Sequence, residues 1–255
     1  MKFAHLSDVH LGSWREDSLR ELGMQAFKES MDICIKENVG LIIISGDLFN
    51  VALPSIEVLK EAANILNKVR EHDINVYVIP GSHDYSASGK TMIDVLENSG
   101  LIINVARLDE NKLIMFEDKT GIKIAGWHGR KGGLEKNEYW QVGKEHLEKE
   151  QGFKIFMFHT MLEEFKPEDL GIVECMSVNN LPKGFDYYAG GHPHYVMQGD
   201  YSRGKLTYPG ALFPNNFKEL ERFKHGGFYI VDDKMDIRWQ PVKTKDVESL
   251  QADAD

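Results

Sequence analysis

Two aspartates and up to five histidines stand at places in this sequence where they could meet. They occur as Asp8-Val9-His10, Gly46-Asp47, Gly81-Ser82-His83-Asp84, His159 and Gly191-His192-Pro193-His194. In Asp8-x-His10 and His192-x-His194, side chains two apart on an extended segment share a face, so each pair can chelate. Pro193 favours this arrangement by biasing His192 toward an extended backbone. Carboxylate and imidazole donors without a thiolate suit manganese, iron(II), zinc or cobalt. They do not suit a thiolate zinc site or an all-oxygen calcium site. Gly46, Gly81, Gly190 and Gly191 would let the backbone turn sharply beside the donors.

Each cluster has a structural explanation when taken alone. An aspartate after a strand is usually a turn former or a cap, and His159 by itself reads as a satisfied core histidine. The five clusters together outweigh those separate explanations. The other histidines lack such company. His5 alternates inward on the first strand and reads as structural. His72, His146 and His225 read as surface residues. His128, with Trp127 and Arg130, ends a strand and can face the site.

The elements that must position these residues are legible from apolar patterning. Lys2 to Ser7, Leu41-Ile42-Ile43-Ile44, Val76-Tyr77-Val78-Ile79, Ile155-Phe156-Met157-Phe158 and Phe185 to Ala189 read as strands. Short apolar runs of this kind are buried on both faces. Every cluster follows one of these strands, and ligand sites of α/β sheets gather at strand carboxyl ends. Ser18 and Glu21 form a capping-box pattern before Leu22, Ala26, Phe27, Met31 and Cys34 at helical spacing. A second helix starts near Pro54-Ser55 and carries Val58, Leu59, Ala62, Ile65, Leu66 and Val69. A third covers residues 90–98 and a fourth 135–149. Residues 113–116 with 122–125, and 226–231 with 235–239, read as hairpins. Strand–helix alternation followed by hairpins predicts a mixed α/β protein with two packed sheets and helices outside.

Composition sets the remaining bounds. The 255 residues carry 40 acidic and 30 basic side chains, a net charge of −10, with 42% hydrophobic residues. These values are ordinary for a globular domain. They argue against a broad basic surface for nucleic acid; Arg130-Lys131 and Lys218, Arg222 and Lys224 are the best local basic candidates. No apolar run approaches the roughly 20 residues of a membrane span, and the N-terminus lacks a signal-peptide layout. Two cysteines, Cys34 and Cys175, make no disulfide framework, so a cytoplasmic location is expected.

With these segments in place, the sequence resembles the calcineurin-like metallophosphoesterase superfamily. Within it, the chain is similar to the DNA double-strand-break repair nuclease (SbcD-like) branch. The resemblance covers about residues 1–240 and rests on the metal-ligand series together with Met1–Gly12, Ser45–Phe49, Asp186–His194, Tyr208-Pro209-Gly210 and Gly226–Asp232. It implies a four-layer α-β-β-α fold, with a catalytic domain over residues 1–242 and a polar tail over 243–255. It also implies a binuclear site. One ion would be held by Asp8, His10, Asp47 and His194. The other would be held by Asp47, His159, His192 and whatever Ser82 offers. His83 would be the catalytic histidine with Asp84 supporting it. Asn50 by its position in the motif, and His128 and Arg130 by their place at a strand end, are the expected substrate-binding residues. Manganese is the expected ion, with iron(II), zinc, cobalt or nickel as alternatives.

The implied chemistry is coherent. Two divalent ions held by Asp8 and Asp47 leave a local charge of about +2, enough to attract phosphate to an acidic protein. Metals about 3.5–4 Å apart can hold the attacking and leaving oxygens and bring a water pKa toward roughly 7. His83 could protonate the leaving oxygen. The sequence departs from the pattern where Ser82 replaces the usual Asn and where Asn50 replaces a histidine found in several relatives. The chain also stops near the end of the core. No room is expected for a DNA-capping region or for helices that dock a coiled-coil ATPase, so that partner is not expected. A homodimer through the helix over 55–69 is an expectation from the resemblance. The leading function is a metal-dependent phosphodiesterase acting on DNA as an exo- or endonuclease. The alternatives are a phosphodiesterase or phosphatase for a small nucleotide or other ester, and a non-catalytic metal-binding interaction module. No membrane partner is expected.

Overall fold

The apolar runs become the central strands of two sheets in the computed structural model, which describes residues 1–86, 91–130, 132, 134, 138–171, 173 and 175–249. The chain runs β1 (Lys2–Leu6), α1 (Asp17–Lys36), β2 (Leu41–Ser45), α2 (Ile56–Glu71), β3 (Asn75–Ile79), α3 (Met92–Asn98) and β4 (Ile103–Asn104). It continues through β5 (Leu108–Asp109), β6 (Lys112–Leu113), β7 (Phe116–Glu117), β8 (Lys123–Trp127), α4 (Glu145–Glu148) and β9 (Lys154–His159). It closes with β10 (Tyr187–Gly191), β11 (Val196–Tyr201), β12 (Gly204–Pro209), α5 (Phe217–Phe223), β13 (Gly226–Asp232) and β14 (Ile237–Val242).

The first sheet has the order β14-β13-β1-β2-β3-β4 and the second β11-β12-β10-β9-β8-β7. In each, the inner strands run parallel and antiparallel strands close an edge. Side-chain alternation sorts the core into layers. Leu41 and Ile43 point into the seam between the sheets, against Ile124, Ile155, Met157 and Tyr187. Ile42 and Ile44 point outward to Phe27, Met31 and Leu66 of α1 and α2. Phe156, Phe158, Tyr188 and Tyr208 face the opposite side, under Tyr139, Leu147, Leu162 and Leu181. Each fully buried large apolar side chain contributes about 1.5–3 kcal/mol relative to exposure. The result is a mixed α/β sandwich. One outer layer is built from long helices, the other from α4, short 3-10 turns and loops.

Local chemistry accounts for the element ends. The Ser55 hydroxyl caps α2 by accepting from the Val58 amide. The capping box expected at Ser18 and Glu21 does not form. The N-cap is Glu16, so Ser18 lies inside the first turn, where an Asp17–Arg20 ion pair spans one turn instead. The helix expected over 135–149 is interrupted. Gly143 bridges to Lys112 beside β6, and only Glu145–Glu148 is helical after it; residues 135–137 lie outside the described residues. The first hairpin closes as β7–β8, with Phe116 opposite Ile124, while Leu113 pairs instead with Leu108. The second hairpin forms as β13–β14. Residues 243–249 hold no helix or strand, and 250–255 lie outside the described residues. Among the described residues no helix is long and apolar enough to cross a membrane.

Candidate active site

Five strands, from both sheets, deliver the predicted donors to one edge of the sandwich. Asp8 and His10 follow β1, Asp47 follows β2, Ser82 and His83 follow β3, His159 ends β9, and His192 and His194 follow β10. The first two loops are laced together: the Asp8 amide donates to the Gly46 carbonyl (3.1 Å), and the His10 amide to the Asp47 carbonyl (2.9 Å).

The backbone does not chelate in the way the extended-segment argument predicts. Asp8 (φ 50°), His10 (φ 48°), Asp47 (φ 54°) and His192 (φ 96°) all have positive φ, against the bias expected from Pro193. Such conformations cost of order 1–3 kcal/mol each and cluster at functional sites. The flanking glycines allow close approach more than turning. A Cβ on Gly81 would lie 2.1 Å from Asp47 Oδ1, and one on Gly46, itself at φ 89°, 2.1 Å from His159 Nδ1.

Asp47 is the centre of the site. Its Oδ2 lies 3.2 Å from His159 Nε2 and 3.7 Å from His10 Nε2, and accepts from the Ser82 hydroxyl at 3.4 Å. Its Oδ1 accepts the His83 amide at 2.8 Å. The Asp8 carboxylate accepts the His192 amide (3.1 Å) and lies 3.8 Å from His194 Nε2, which is 3.2 Å from His10 Nε2. Among the described residues, three sets of donor atoms converge within 4.8 Å: Asp8–His10–His194, His10–Asp47–His83 and Asp8–Asp47–His159. His192 is in none of them; its exposed ring packs edge-on against His159 at 5.3 Å.

These residues fit a divalent ion on their own chemistry. His159 Nδ1 lies 2.8 Å from the Ser45 carbonyl and donates its proton there. Its Nε2, buried and 3.2 Å from Asp47 Oδ2, shares a proton with that carboxylate, and a divalent ion would displace that proton. Burial lowers His10 to about 3 and outweighs the pull of Asp47, keeping the ring neutral. Burial also opposes charge on His159, yet Asp47 and Asp8 overcome it and lift His159 to about 10. Burial would raise Asp47, but His159 and His10 hold it below the usual carboxylate range. The two buried carboxylates thus demand positive charge at this spot, which a divalent cation supplies.

The His83 ring is exposed, and its Nδ1 donates to the Asn50 carbonyl at 2.8 Å. Asn50 thus meets the site through its backbone. Asp84 does not support the His83 ring. Its fully buried carboxylate accepts the amides of Leu48 (3.1 Å), Phe49 (2.9 Å) and Gly81 (3.0 Å). Burial, then the Asp47 charge, push Asp84 up to about 6. Arg130 pairs with Glu138, and its guanidinium lies 4.5 Å over the Tyr85 ring. His128 Nε2 is buried beside them, 3.6 Å from Glu138. His5 is structural, as expected, bonded within the sheet seam. Glu219 escaped the sequence reading. Its Oε2 lies 3.0 Å from His194 Nδ1. The signal was present as Asn216-x-x-Glu219, a capping-box pattern opening α5.

The profile of the calcineurin-like phosphoesterase family matches residues 1–196. The chain is 29% identical over 238 residues to the DNA double-strand break repair protein Mre11 of Archaeoglobus fulgidus, covering 87% of this chain and 52% of that protein. It is 27% identical over 243 residues to the uncharacterized metallophosphoesterase YhaO of Bacillus subtilis, covering 91% of this chain and 57% of that one. The chain therefore spans little more than half the length of these relatives. In fold it matches a dimetal phosphatase from Danio rerio, with TM-score 0.61, 10% identity and coverage of 96% and 97% of the two chains. It also matches TT1561 of Thermus thermophilus, with TM-score 0.59, 13% identity and coverage of 95% and 99%. Donor set, fold and profile agree, and the chain belongs to the calcineurin-like phosphoesterase family.

Proposed function

We propose that the chain is a divalent-metal-dependent phosphodiesterase acting on nucleic acid, with DNA as the first substrate to test. The observation that carries this reading is the convergence of His10, His159, Ser82 and the His83 amide on the single carboxylate of Asp47. Asp8, His10, Asp47 and His194 would hold one ion. Asp47, His159, His192 and Ser82 would hold the second, with manganese the expected metal. Bound ions would supply charge to draw in phosphate and would acidify a water for attack. The protein's own part is placement and proton handling. The His83 Nδ1–H···O=C bond to Asn50 fixes the tautomer, leaving Nε2 as the nitrogen that exchanges a proton with the leaving oxygen. Asp84 acts through the loops carrying Asp47 and His83, not on substrate. The exposed rings of His83 and His192 favour a polymer that lies across the site.

One observation supports a small substrate as a second reading. A cavity of about 260 Å³ lined by Met161, Leu170, Val173, Pro193 and Tyr195 opens beside His192 and His194. It suits the apolar part of a nucleotide. The catalytic domain is taken as residues 1–242. Dimerisation through α2 would need residues outside its core face, since Ala62, Ile65, Leu66 and Val69 are buried; exposed Val51, Leu53 and Ile56 are the available ones.

The test compares single-stranded DNA, duplex DNA, bis-p-nitrophenyl phosphate and p-nitrophenyl phosphate in manganese, with His83→Ala and Asp47→Ala alongside. Cleavage of DNA and of the diester, lost in both variants, is expected. Diester turnover without DNA cleavage would leave the small-substrate reading. Full activity in Asp47→Ala would sink the metal mechanism.

A further inference from the structure

The two sets of donors differ in what stands behind their imidazoles. Behind His159 is a neutral group, the Ser45 carbonyl at 2.8 Å. Behind His194 is a carboxylate, Glu219, at 3.0 Å. An imidazole Nδ1 facing a carboxylate carries the proton, so His194 Nε2 is left with its lone pair toward His10 and Asp8. A carboxylate in this position also raises the basicity of the ligating nitrogen.

Glu219 is itself held from several sides. Oε2 also accepts the Asn215 amide at 2.9 Å, and Oε1 accepts the Asn216 side-chain amide at 2.7 Å. The Glu219 amide donates to Asn216 Oδ1 at 2.9 Å, closing the cap of α5. One residue thus ends a helix and orients a ligand. Its side chain is 20% exposed, and that of His194 18%, so solvent reaches the pair only in part. Among the described residues the opposite set has no carboxylate behind its imidazoles, and it includes a hydroxyl, Ser82, in place of a stronger donor.

We infer that Glu219 is a positioning residue that makes the Asp8–His10–Asp47–His194 position the tighter of the two, so that it fills first. This rests on the two-ion reading above. Outer carboxylates of this kind are worth about 10–100-fold in metal affinity.

The experiment is a titration of the full chain with cobalt(II), followed by calorimetry and by visible absorption of the bound ion. Glu219→Gln keeps the length and the capping pattern but removes the charge. Leu220→Ala loosens the packing of α5 on the core and leaves the Glu219 contacts in place. Wild type is expected to bind two ions in separable steps. In Glu219→Gln the first step weakens about 10–100-fold, the second is unchanged, and the absorption band of the first ion shifts. In Leu220→Ala thermal stability falls while the first step stays within a few-fold of wild type. An unchanged first step in Glu219→Gln, or equal weakening of both steps, would overturn the inference. So would a Leu220→Ala loss matching that of Glu219→Gln, because helix packing would then explain it. If wild type binds a single ion, the two-ion reading fails, and the role of Glu219 stands or falls on whether Glu219→Gln weakens that ion. Binding of no ion overturns both.

Discussion

At the scale of single residues, Asp84 has the clearest energetic signature. A fully buried carboxylate costs several kcal/mol unless its oxygens are engaged, and three amides from two loops engage it. Hydrogen bonds to a charged group are worth about 1.5–3 kcal/mol each. Asn in its place keeps one acceptor and turns an NH₂ toward amide donors. Asp84→Asn is therefore expected to lower stability by about 2–3 kcal/mol, or about 5–10 °C in melting temperature for a chain this long. Activity should fall with it, since the same loops carry Asp47 and His83. Calorimetric melting checks this; lost turnover at an unchanged melting temperature would make Asp84 a proton donor instead. The Asp84 role was not legible beforehand because two of its partners are backbone amides 35 and 36 positions away, and amides leave no mark on sequence. Glu219 was equally hidden, 25 positions from His194, although its capping pattern with Asn216 was in plain view.

Between elements, a buried polar contact set centred on His5 lies within the largely apolar seam of the sandwich. His5 of β1 is fully buried, with Nδ1 2.9 Å from the Tyr187 hydroxyl and 3.1 Å from Thr207 Oγ1, and Nε2 3.1 Å from Ser45 Oγ. One ring thereby ties β1 and β2 to β10 and β12. Burial lowers its pKa from 6.5 to about 3. The sign follows: below about 6.5 the unfolded chain takes a proton on His5 that the folded chain refuses. Stability from the neutral ring is complete above that pH and is lost as pH falls toward the folded value, at about 1.4 kcal/mol per pH unit. Between pH 6.5 and 5, wild type should lose about 2 kcal/mol more than His5→Gln, which has no such proton to take up. Urea unfolding at pH 7 and pH 5 measures it, and parallel losses in the two proteins would refute it. The strands and their carboxyl-end clusters were legible because a period of two and an apolar run are local properties. The left-handed backbone at Asp8, His10 and His192 was not. It is set by hydrogen bonds that lace the loops to each other across long sequence separations, on Asp and His residues that tolerate positive φ better than most.

For the whole molecule, charge and site make opposite demands. The net charge is −10, and three of the basic residues singled out in the sequence have partners among the described residues. Arg130 pairs with Glu138 and Tyr85, Arg222 with Tyr195, and Lys224 with Ser249. Nucleic-acid affinity built on a basic surface falls steeply with salt, because each phosphate contact by Lys or Arg releases counterions. A protein with 6–10 such contacts loses about 10³–10⁵ in affinity between 50 and 200 mM salt. On the proposed function attraction is assigned to ions held by Asp8 and Asp47, and about two or three side-chain contacts to a single strand would then lose about 7- to 18-fold over that range. The measurement is fluorescence anisotropy of labelled single-stranded DNA with His83→Ala, which keeps both carboxylates, in manganese across that salt series. Binding should also vanish on chelation of the metal at every salt concentration. A thousandfold salt effect, or binding that survives chelation, would mean that a basic surface carries the substrate and that the acidic balance of the chain hides it.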